Sequence, residues 1–387
     1  MLTNTLFAAL PIARYRFTAR LQQPLPLPDY AGSLLRGQFG AALRNVACMT
    51  RAPTCSGCPL LQTCPYSRIF ETLPPPKGQH TLQNFSQIPK PYIVEPPTPG
   101  ARLLAAGDAL VFHLVLVGHA IDQLALVIFA LQRALVQGLT RQRVPADLLQ
   151  VDHIDRLGVA HPVWHHGHPT LADHTATLQA PAAVTAVATN SIAASACNTW
   201  SRGQKDTQHY PADAADAADA AAGAAEPGAG NSTAINTPSH TALVLHITTP
   251  LRLQQQGQPL GVGQLTPRAL VAAIARRVAL LMEFHGGPAA GIAGEAFNWG
   301  AAAKTMTHLS EALTDSQDLH WHDWTRYSSR QQQEMTLGGV LGRWTLNAQD
   351  AATLAAIHPW LWLGQWLHAG KNATMGMGGY TLETPAP

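Results

Sequence analysis

The sequence predicts a protein of the α+β class, and two kinds of periodicity carry that prediction. In residues 12–21 apolar and polar side chains alternate, with Tyr15, Phe17 and Ala19 on one side of the chain, which indicates a half-buried strand. In residues 30–46 apolar side chains recur every three or four positions, which indicates a helix with one buried face. Strands and helices follow each other in mixed order with antiparallel hairpins, and this order is typical of α+β folds.

The rest of the N-terminal half repeats the alternation of strand and helix. Residues 109–117 are apolar and β-branched and predict a second strand. Residues 121–135 place their apolar side chains on one helical face, and Gly138 marks the predicted end of that helix.

The C-terminal half begins in the same way. A strand is predicted at 242–248, and a helix runs from the N-cap Thr266 and the N1 residue Pro267 to Gly286. Three later strands, the last two joined as a hairpin at Gly338 and Gly339, are predicted at 320–327, 332–337 and 340–346. Each half fits the β-α-β-β-α-β order of a ferredoxin-like unit, so we expect two such units side by side.

An alanine-rich segment separates the two halves. About one-third of residues 181–240 are alanine, and large apolar side chains are almost absent after Trp200. Such a segment cannot bury enough surface to offset its ordering entropy. We therefore predict an N-terminal domain at 1–180, a disordered insertion at 181–240 and a C-terminal domain at 241–387.

The net charge of +2 hides a gradient along the chain. Residues 1–102 carry ten basic and three acidic groups, residues 181–240 carry two and five, and residues 241–387 carry nine of each. Because the first segment is strongly basic, a polyanionic partner remains compatible with the nearly neutral total. The apolar runs are shorter than the roughly 20 residues that cross a bilayer, and the N-terminus lacks a signal-peptide pattern. We expect a cytoplasmic protein without a membrane partner.

Four of the five cysteines lie close together, at Cys48, Cys55, Cys58 and Cys64. Their spacing, which includes a Cys-x2-Cys element, suits one Zn²⁺ ion held by four thiolates. An iron–sulfur cluster could use the same ligands, and disulfides are a further alternative that a reducing cytoplasm disfavours. With four cysteine ligands such a metal would stabilise the segment and leave no position for a catalytic water.

A glycine-rich segment near the C-terminus is a second candidate site. It contains Lys371 together with Gly370, Gly376, Gly378 and Gly379. Glycine lets a backbone approach an anion closely, so the N–H groups here are predicted to be accessible to a phosphate. The spacing fits neither a Walker loop nor a dinucleotide fingerprint, and a plain glycine-rich turn before the last strand is the alternative.

The first predicted helix carries Arg36, Gly40 and Arg44 on one face. A glycine inside a helix costs about 1 kcal/mol relative to alanine, so we expect something to pack closely there. That neighbour is either another helix or strand or an RNA backbone. The four histidines of residues 161–168 are predicted to lie in a solvated loop.

Three motifs together resemble one protein family. They are Leu35-Arg36-Gly37-x2-Gly40-x2-Leu43-Arg44, then Cys64-Pro65-Tyr66-x3-Phe70-Glu71 after the cysteines, and Trp366-Leu367-His368-x-Gly370-Lys371-x2-Thr374-x-Gly376-x-Gly378-x-Tyr380. The segments Arg326-x-Ser328 and Gly338-Gly339-x2-Gly342 lie where that family has a hairpin. In this order the motifs are similar to those of the CRISPR-associated RAMP-superfamily endoribonucleases that process precursor CRISPR RNA.

The resemblance implies two ferredoxin-like (RAMP) domains that bind CRISPR repeat RNA and cut it without a catalytic metal. In such enzymes the ribose 2′-OH attacks the adjacent phosphate and leaves a 2′,3′-cyclic phosphate and a 5′-OH. The reaction needs a base, an acid and cations for the developing charge. The implied partners are precursor CRISPR RNA and subunits of a CRISPR effector complex.

The candidate site residues follow from the resemblance, with one departure. Many relatives place a catalytic histidine in or just after the first helix, whereas residues 1–79 contain none. We therefore assign His368 as acid or base, Lys371 and Arg36 as charge-stabilising groups and Tyr30 as a proton donor or orienting group. Tyr92 and Trp324 are candidate stacking platforms for unpaired bases, and the candidate RNA contacts are Gly370, Thr374, Gly376, Gly378, Gly379 and Arg44.

Two other functions are compatible with the same residues. A non-cleaving RAMP subunit that holds guide RNA would explain the missing N-terminal histidine. A metal-stabilised interaction protein without an RNA role is compatible with the balanced charge of residues 241–387.

Overall fold

The first half of the chain forms an antiparallel sheet of five strands. The computed structural model describes residues 10–74, 88–168, 170–174, 178, 241–286, 298–328 and 333–383. The strands are β1 (Ile12–Leu21), β3 (Tyr92–Glu95), β5 (Ala109–Val117), β6 (Ala146–Ile154) and β7 (Ala160–His165), in the order β3-β5-β1-β6-β7. A small ribbon pairs β2 (Leu25–Leu27) with β4 (Arg102–Leu104).

Two helices cover one face of this sheet. They are α1 (Gly32–Ala47) and α2 (Leu124–Gln137), the latter preceded by a 3-10 turn at Gly118–Gln123. The strand residues on the helix side, including Tyr15 and Phe17, are fully buried with both helices in one core. Strands β1, β3, β5 and β6 with the two helices have the connectivity and strand order of a ferredoxin-like unit, and β7 extends the sheet at its edge.

The second half of the chain forms a sheet with a similar order of strands and helices. Strands β8 (Ala242–Leu251), β11 (Thr314–Ser328), β12 (Gln333–Asn347) and β13 (Tyr380–Glu383) form a sheet in the order β11-β12-β8-β13. Its helices are α3 (Pro267–His285), α4 (Trp299–Leu309) and α5 (Ala351–Leu367), and a short ribbon pairs β9 (Gln254–Gln255) with β10 (Gln258–Pro259). The predicted α+β fold of two ferredoxin-like units is therefore confirmed.

The predicted helix ends agree with the capping chemistry. The Thr266 side chain accepts a hydrogen bond from the Ala269 N–H at the start of α3, with Pro267 in the first turn. Gly138 ends α2 with a positive φ of 96°.

The two units pack against each other, and each contributes side chains to the core of the other. We call this interface the seam. Ile12, Ile93 and Val115 of the first sheet are buried in the core of the second unit. In return, Met377 and Trp324 of the second unit are buried in the core of the first. The glycine-rich segment therefore lies at the junction of the units rather than on a free edge.

Two local predictions are wrong. Gly338 and Gly339 do not form a hairpin turn, because β12 runs through them and pairs with β11 over its whole length. The connection falls at 329–332, outside the described residues. His161 and His165 lie in β7 rather than in a loop, with exposed side chains on an edge strand that pairs with β6. The alanine-rich insertion predicted at 181–240 also lies outside the described residues.

One helical stretch, Gly118–Gln137, has the length and apolar composition of a membrane span. Half of it is buried within the fold, where Leu124, Val127 and Leu131 of α2 pack into the first core. Its apolar composition is thus the one expected of a helix between a sheet and a second helix.

Candidate functional site

The inner face of α1 packs against aromatic rings, and this contact explains its spacing of arginine and glycine. A Cβ atom at Gly40 would overlap the ring of Phe70, which lies in the π-helical turn Ser67–Glu71. The close neighbour expected at Gly40 is therefore an aromatic side chain and not an RNA backbone. Arg36 lies one turn before it and Arg44 one turn after it, and both face the same aromatic group.

Arg36 and Lys90, which we call the cation pair, lie over the same ring. The Arg36 Cζ atom is 4.8 Å and the Lys90 Nζ atom 5.5 Å from the centroid of Phe70. Phe70 is stacked between Tyr66 and Tyr92 at centroid distances of 5.5 and 5.6 Å, and the Arg36 Nε–H donates to the Tyr92 hydroxyl at 3.2 Å. Aromatic faces attract cations, so this stack holds two positive groups close together.

The surroundings of Lys90 change its acidity. Burial and, to a smaller extent, the Arg36 guanidinium lower the pKa of its amine from 10.5 to about 8, although the Glu71 carboxylate partly opposes the shift. A lysine with such a pKa exchanges its proton near neutral pH, as a general base requires. Arg36 remains charged at every working pH. The cation pair therefore combines a permanent positive charge with a group that can take up a proton.

Further basic groups continue from the cation pair along the seam. His285 donates from Nε2 to the carbonyl of Pro89 at 2.8 Å, and its ring lies 5.3 Å from that of His119. Burial lowers the pKa of both imidazoles, to about 4 for His285, and the Arg68 guanidinium contributes to both shifts. Arg68 is exposed, so the seam presents a permanent cation beside two imidazoles that are neutral at pH 7.

The glycine-rich segment docks onto the first unit beside the cation pair. The carbonyl of Met375 contacts Gly32 at the start of α1, and a Cβ atom at Gly376 would lie 2.6 Å from the Val94 carbonyl oxygen of β3. Gly376 also has a φ of 88°, which a side chain would strain. The predicted motifs around Arg36 and around Gly376 are thus brought together.

The predicted accessibility of the glycine N–H groups is wrong. Gly376 donates to Ala373 O, Gly378 to Pro250 O and Gly379 to the Thr249 hydroxyl. These three donors are used within the chain, and all three glycines are buried. Gly370, Lys371 and Thr374 are half-buried and form the less enclosed part of the segment.

His368 is buried within the fold and not exposed on the surface. Only 4% of the residue is exposed. Its Nδ1 lies 3.1 Å from the Met377 carbonyl, and its Nε2 lies 3.5 Å from Glu95 Oε1. Glu95 in turn accepts from the Arg14 Nε–H at 2.6 Å. His368 therefore links the glycine-rich segment to β3.

The Glu95 group is buried and electrostatically coupled. Burial alone would raise the pKa of the Glu95 carboxyl, but Arg14 and His368 outweigh it and hold that pKa well below its usual range. Burial and Arg14 together lower the pKa of the neighbouring His113 to about 3. This group holds β1, β3 and β5 to the glycine-rich segment.

Four further predicted contacts are used inside the protein. Tyr30 and Trp324 are 2% and 3% exposed, with ring centroids 4.6 Å apart, and burial raises the pKa of the Tyr30 hydroxyl well above its usual range. Tyr92 is fully buried in the aromatic stack. An Arg44 Nη2–H donates to the carbonyls of Ala52 and Pro53 at 2.5 and 3.2 Å. Tyr92 and Trp324 are therefore not platforms for RNA bases, and Arg44 anchors the cysteine segment.

Sequence reasoning missed Lys90, although one signal was present. Lys90 lies between Pro89 and Pro91, and two prolines restrict the backbone that presents the amine. Its contact with Phe70 could not be read from the sequence, because Phe70 lies twenty positions earlier in the chain.

Comparison with known proteins identifies the chain's relatives. Residues 245–380 match the family model of the CRISPR-associated endoribonuclease Cas6, and residues 10–176 match a model described as an N-terminal domain. No curated protein matches the chain.

The chain is also similar to solved structures. A product complex of a Thermus thermophilus Cas6 is 14% identical, with 96% of this chain and 99% of that chain covered and a TM-score of 0.50. A partial Cas6-RT-Cas1–Cas2 complex is 12% identical, with 97% of this chain and 46% of that chain covered and a TM-score of 0.48. At this identity the first likeness shows the shared fold. Residues 245–380 thus match the CRISPR-associated Cas6 family, and the chain as a whole has the two ferredoxin-like units of the Cas6 (RAMP) fold.

Proposed function

We propose that this protein cleaves CRISPR repeat RNA within a precursor transcript, without a catalytic metal, and that the cation pair of Arg36 and Lys90 is its reactive centre. The observation that carries the proposal is the placement of both cations over Phe70, within 4.8 and 5.5 Å of the ring centroid. Two partly buried cations that contact the same ring and repel each other suit a phosphate, because an anion relieves that repulsion.

The reaction is written from these two groups. The neutral Lys90 amine takes the proton of the ribose 2′-OH as the 2′-oxygen attacks the adjacent phosphorus. The bond from phosphorus to the 5′-oxygen breaks, and the 5′-oxygen takes a proton from water. Arg36 stabilises the negative charge that builds on the phosphate oxygens during the step. The products are a 2′,3′-cyclic phosphate and a 5′-OH.

The RNA path follows the seam between the two units. Arg68 supports it as an exposed cation on the turn that also carries Phe70. Lys371 and Thr374 support it from the glycine-rich segment, which docks on the start of α1. Basic groups grip phosphates and fix the register of a nucleic acid, while base contacts supply specificity.

The proposal departs from the residues first expected. His368 and Tyr30 are enclosed by the fold, so the proton transfer is assigned to Lys90 instead. Gly376, Gly378 and Gly379 act by allowing the segment to dock, and Gly370 remains a proposed RNA contact.

Cleavage assays with labelled repeat RNA test the cation pair. Arg36→Gln should lower the cleavage rate by two to four orders of magnitude, the usual range for a lost charge-stabilising or proton-transferring group. Arg268→Gln is the matched control, because Arg268 is exposed on α3, where its Nε pairs with Glu311 Oε1 at 2.8 Å. RNA binding without cleavage by the unaltered protein would favour the non-cleaving guide-RNA subunit, and no RNA binding would contradict both functions.

Protein partners are also proposed from the relatives. Because one similar structure is a Cas6-RT-Cas1–Cas2 complex, we propose that this protein hands its processed RNA to other CRISPR-associated proteins. Co-purification with subunits encoded beside it is the corresponding test.

A further inference from the structure

Residues 48–64, which we call the cysteine loop, join α1 to the turn that carries Phe70. No side chain in this loop is fully buried. A seventeen-residue loop without a core lacks the apolar contacts that normally select one conformation, and small folds of this kind depend on added cross-links. Side chains outside the loop hold only a few of its carbonyls: Arg44 donates to those of Ala52 and Pro53, and the Ser67 hydroxyl donates to those of Leu61 and Cys64.

The four thiols of the loop share one neighbourhood. The Thr50 hydroxyl lies 3.5 Å from Cys58 Sγ and 4.0 Å from Cys48 Sγ. Cys64 Sγ lies 3.8 Å from the carbonyl oxygen of Ala47, the residue before Cys48. Cys55 and Cys64 also rest against the first core. All four are free thiols, so no disulfide fixes the loop.

The four thiols of the cysteine loop do not converge on a single point in this structure. Among the described residues, no three His, Cys, Asp or Glu side chains are gathered tightly enough to hold a metal ion. The Cys55 and Cys58 backbones are nevertheless joined in a tight turn, with the Cys58 N–H donating to the Cys55 carbonyl at 3.2 Å. All four side chains are partly exposed rather than enclosed in a core.

We propose that Cys48, Cys55, Cys58 and Cys64 bind one Zn²⁺ ion as thiolates, and that this ion fixes the cysteine loop. Each thiol loses its proton on binding, and no electron is transferred. A tetrahedral site with four sulfur ligands has no position for water, so the metal is structural. It holds the segment that leads into Tyr66 and Phe70, the rings beneath the cation pair.

Metal content tests the site without any RNA. The full-length protein, freed of affinity tags and purified in reductant, should contain about one zinc per chain by elemental analysis. Cys55→Ser with Cys58→Ser should lose it. Cys197→Ser is the matched control, because Cys197 is the one cysteine outside the loop and its replacement should leave the zinc content unchanged.

A second measurement keeps the test informative if the double variant does not fold. A mercurial reagent added to the unaltered protein should release one zinc into a chromogenic chelator as the thiolates are titrated. Proteolysis should then cut the loop at 48–64 faster after release than before. Iron with visible absorbance, disulfides in the loop, or zinc that Cys197→Ser removes would each overturn the proposal. So would four reactive thiols in a folded, zinc-free protein supplied with Zn²⁺.

Discussion

Replacing Lys90 with methionine separates stability from activity at the cation pair. Because its pKa falls from 10.5 to about 8 in the folded protein, the charged amine destabilises the fold by at most about 3 kcal/mol. The contact with Phe70 offsets about 0.5–2 kcal/mol of this cost. Lys90→Met should therefore raise the free energy of unfolding by about 1–2 kcal/mol at pH 7 while abolishing cleavage.

The pH dependence has a definite sign. Lys90 is protonated in both folded and unfolded states below pH 8, so its destabilising charge is fully present there and is relieved as pH rises from about 8 to 10.5. The stability gain of Lys90→Met should shrink over the same interval, as measured by urea unfolding between pH 6 and 10.

Catalysis should follow the neutral amine. The kcat/KM for repeat RNA should rise nearly tenfold per pH unit below about 8 and then level off, because that constant reports the free enzyme. Lys90→Arg keeps the positive charge but cannot act as a base, so it should bind RNA and lose cleavage by two to four orders of magnitude. Full activity in Lys90→Arg, or lower stability with normal cleavage in Lys90→Met, would refute the assignment.

The remaining predictions concern the glycine-rich segment and the insertion. His368→Ala should lower the free energy of unfolding by about 1–3 kcal/mol, because its buried contacts are lost. Cleavage by the folded fraction should change only a few-fold. A hundredfold loss of cleavage at unchanged Tm would instead show that His368 takes part in the reaction. Gly376→Ala should lower Tm more than Gly263→Ala does. Both glycines have a φ near 88°, but only a side chain at position 376 would meet a backbone oxygen. An equal decrease of Tm in the two variants would show that the contact with β3 is unimportant. Deleting residues 185–238 should leave RNA binding in a salt titration intact or stronger, because that segment is acidic, and weaker binding would place it in the RNA path.

Patterns local in sequence predicted the elements well. The alternation in β1, the Thr266 cap and the Gly138 stop depend on neighbours within a few residues, so they could be read without the fold. Gly338 and Gly339 were misread because glycine marks both turns and close packing in strands. There a Cβ atom at Gly338 would overlap Asp323 and Trp321 on the paired strand.

The site was predicted less well, because its properties arise between distant residues. Arg36 was found from its spacing on α1, but the burial of His368 depends on β3 and the glycine-rich segment together. The lowered pKa of Lys90 depends on its burial and on Arg36, and both conditions arise only in the folded chain. No spacing rule contains that information.

The most direct test of the cation-pair mechanism is the chemistry of the RNA product. The purified protein should cleave its cognate repeat RNA in EDTA and leave a 2′,3′-cyclic phosphate and a 5′-OH, and the same RNA with a 2′-deoxy group at the scissile nucleotide should bind but remain uncut. Cleavage of the 2′-deoxy substrate, or cleavage that stops in EDTA and returns with Mg²⁺, would contradict attack by the 2′-OH assisted by Arg36 and Lys90.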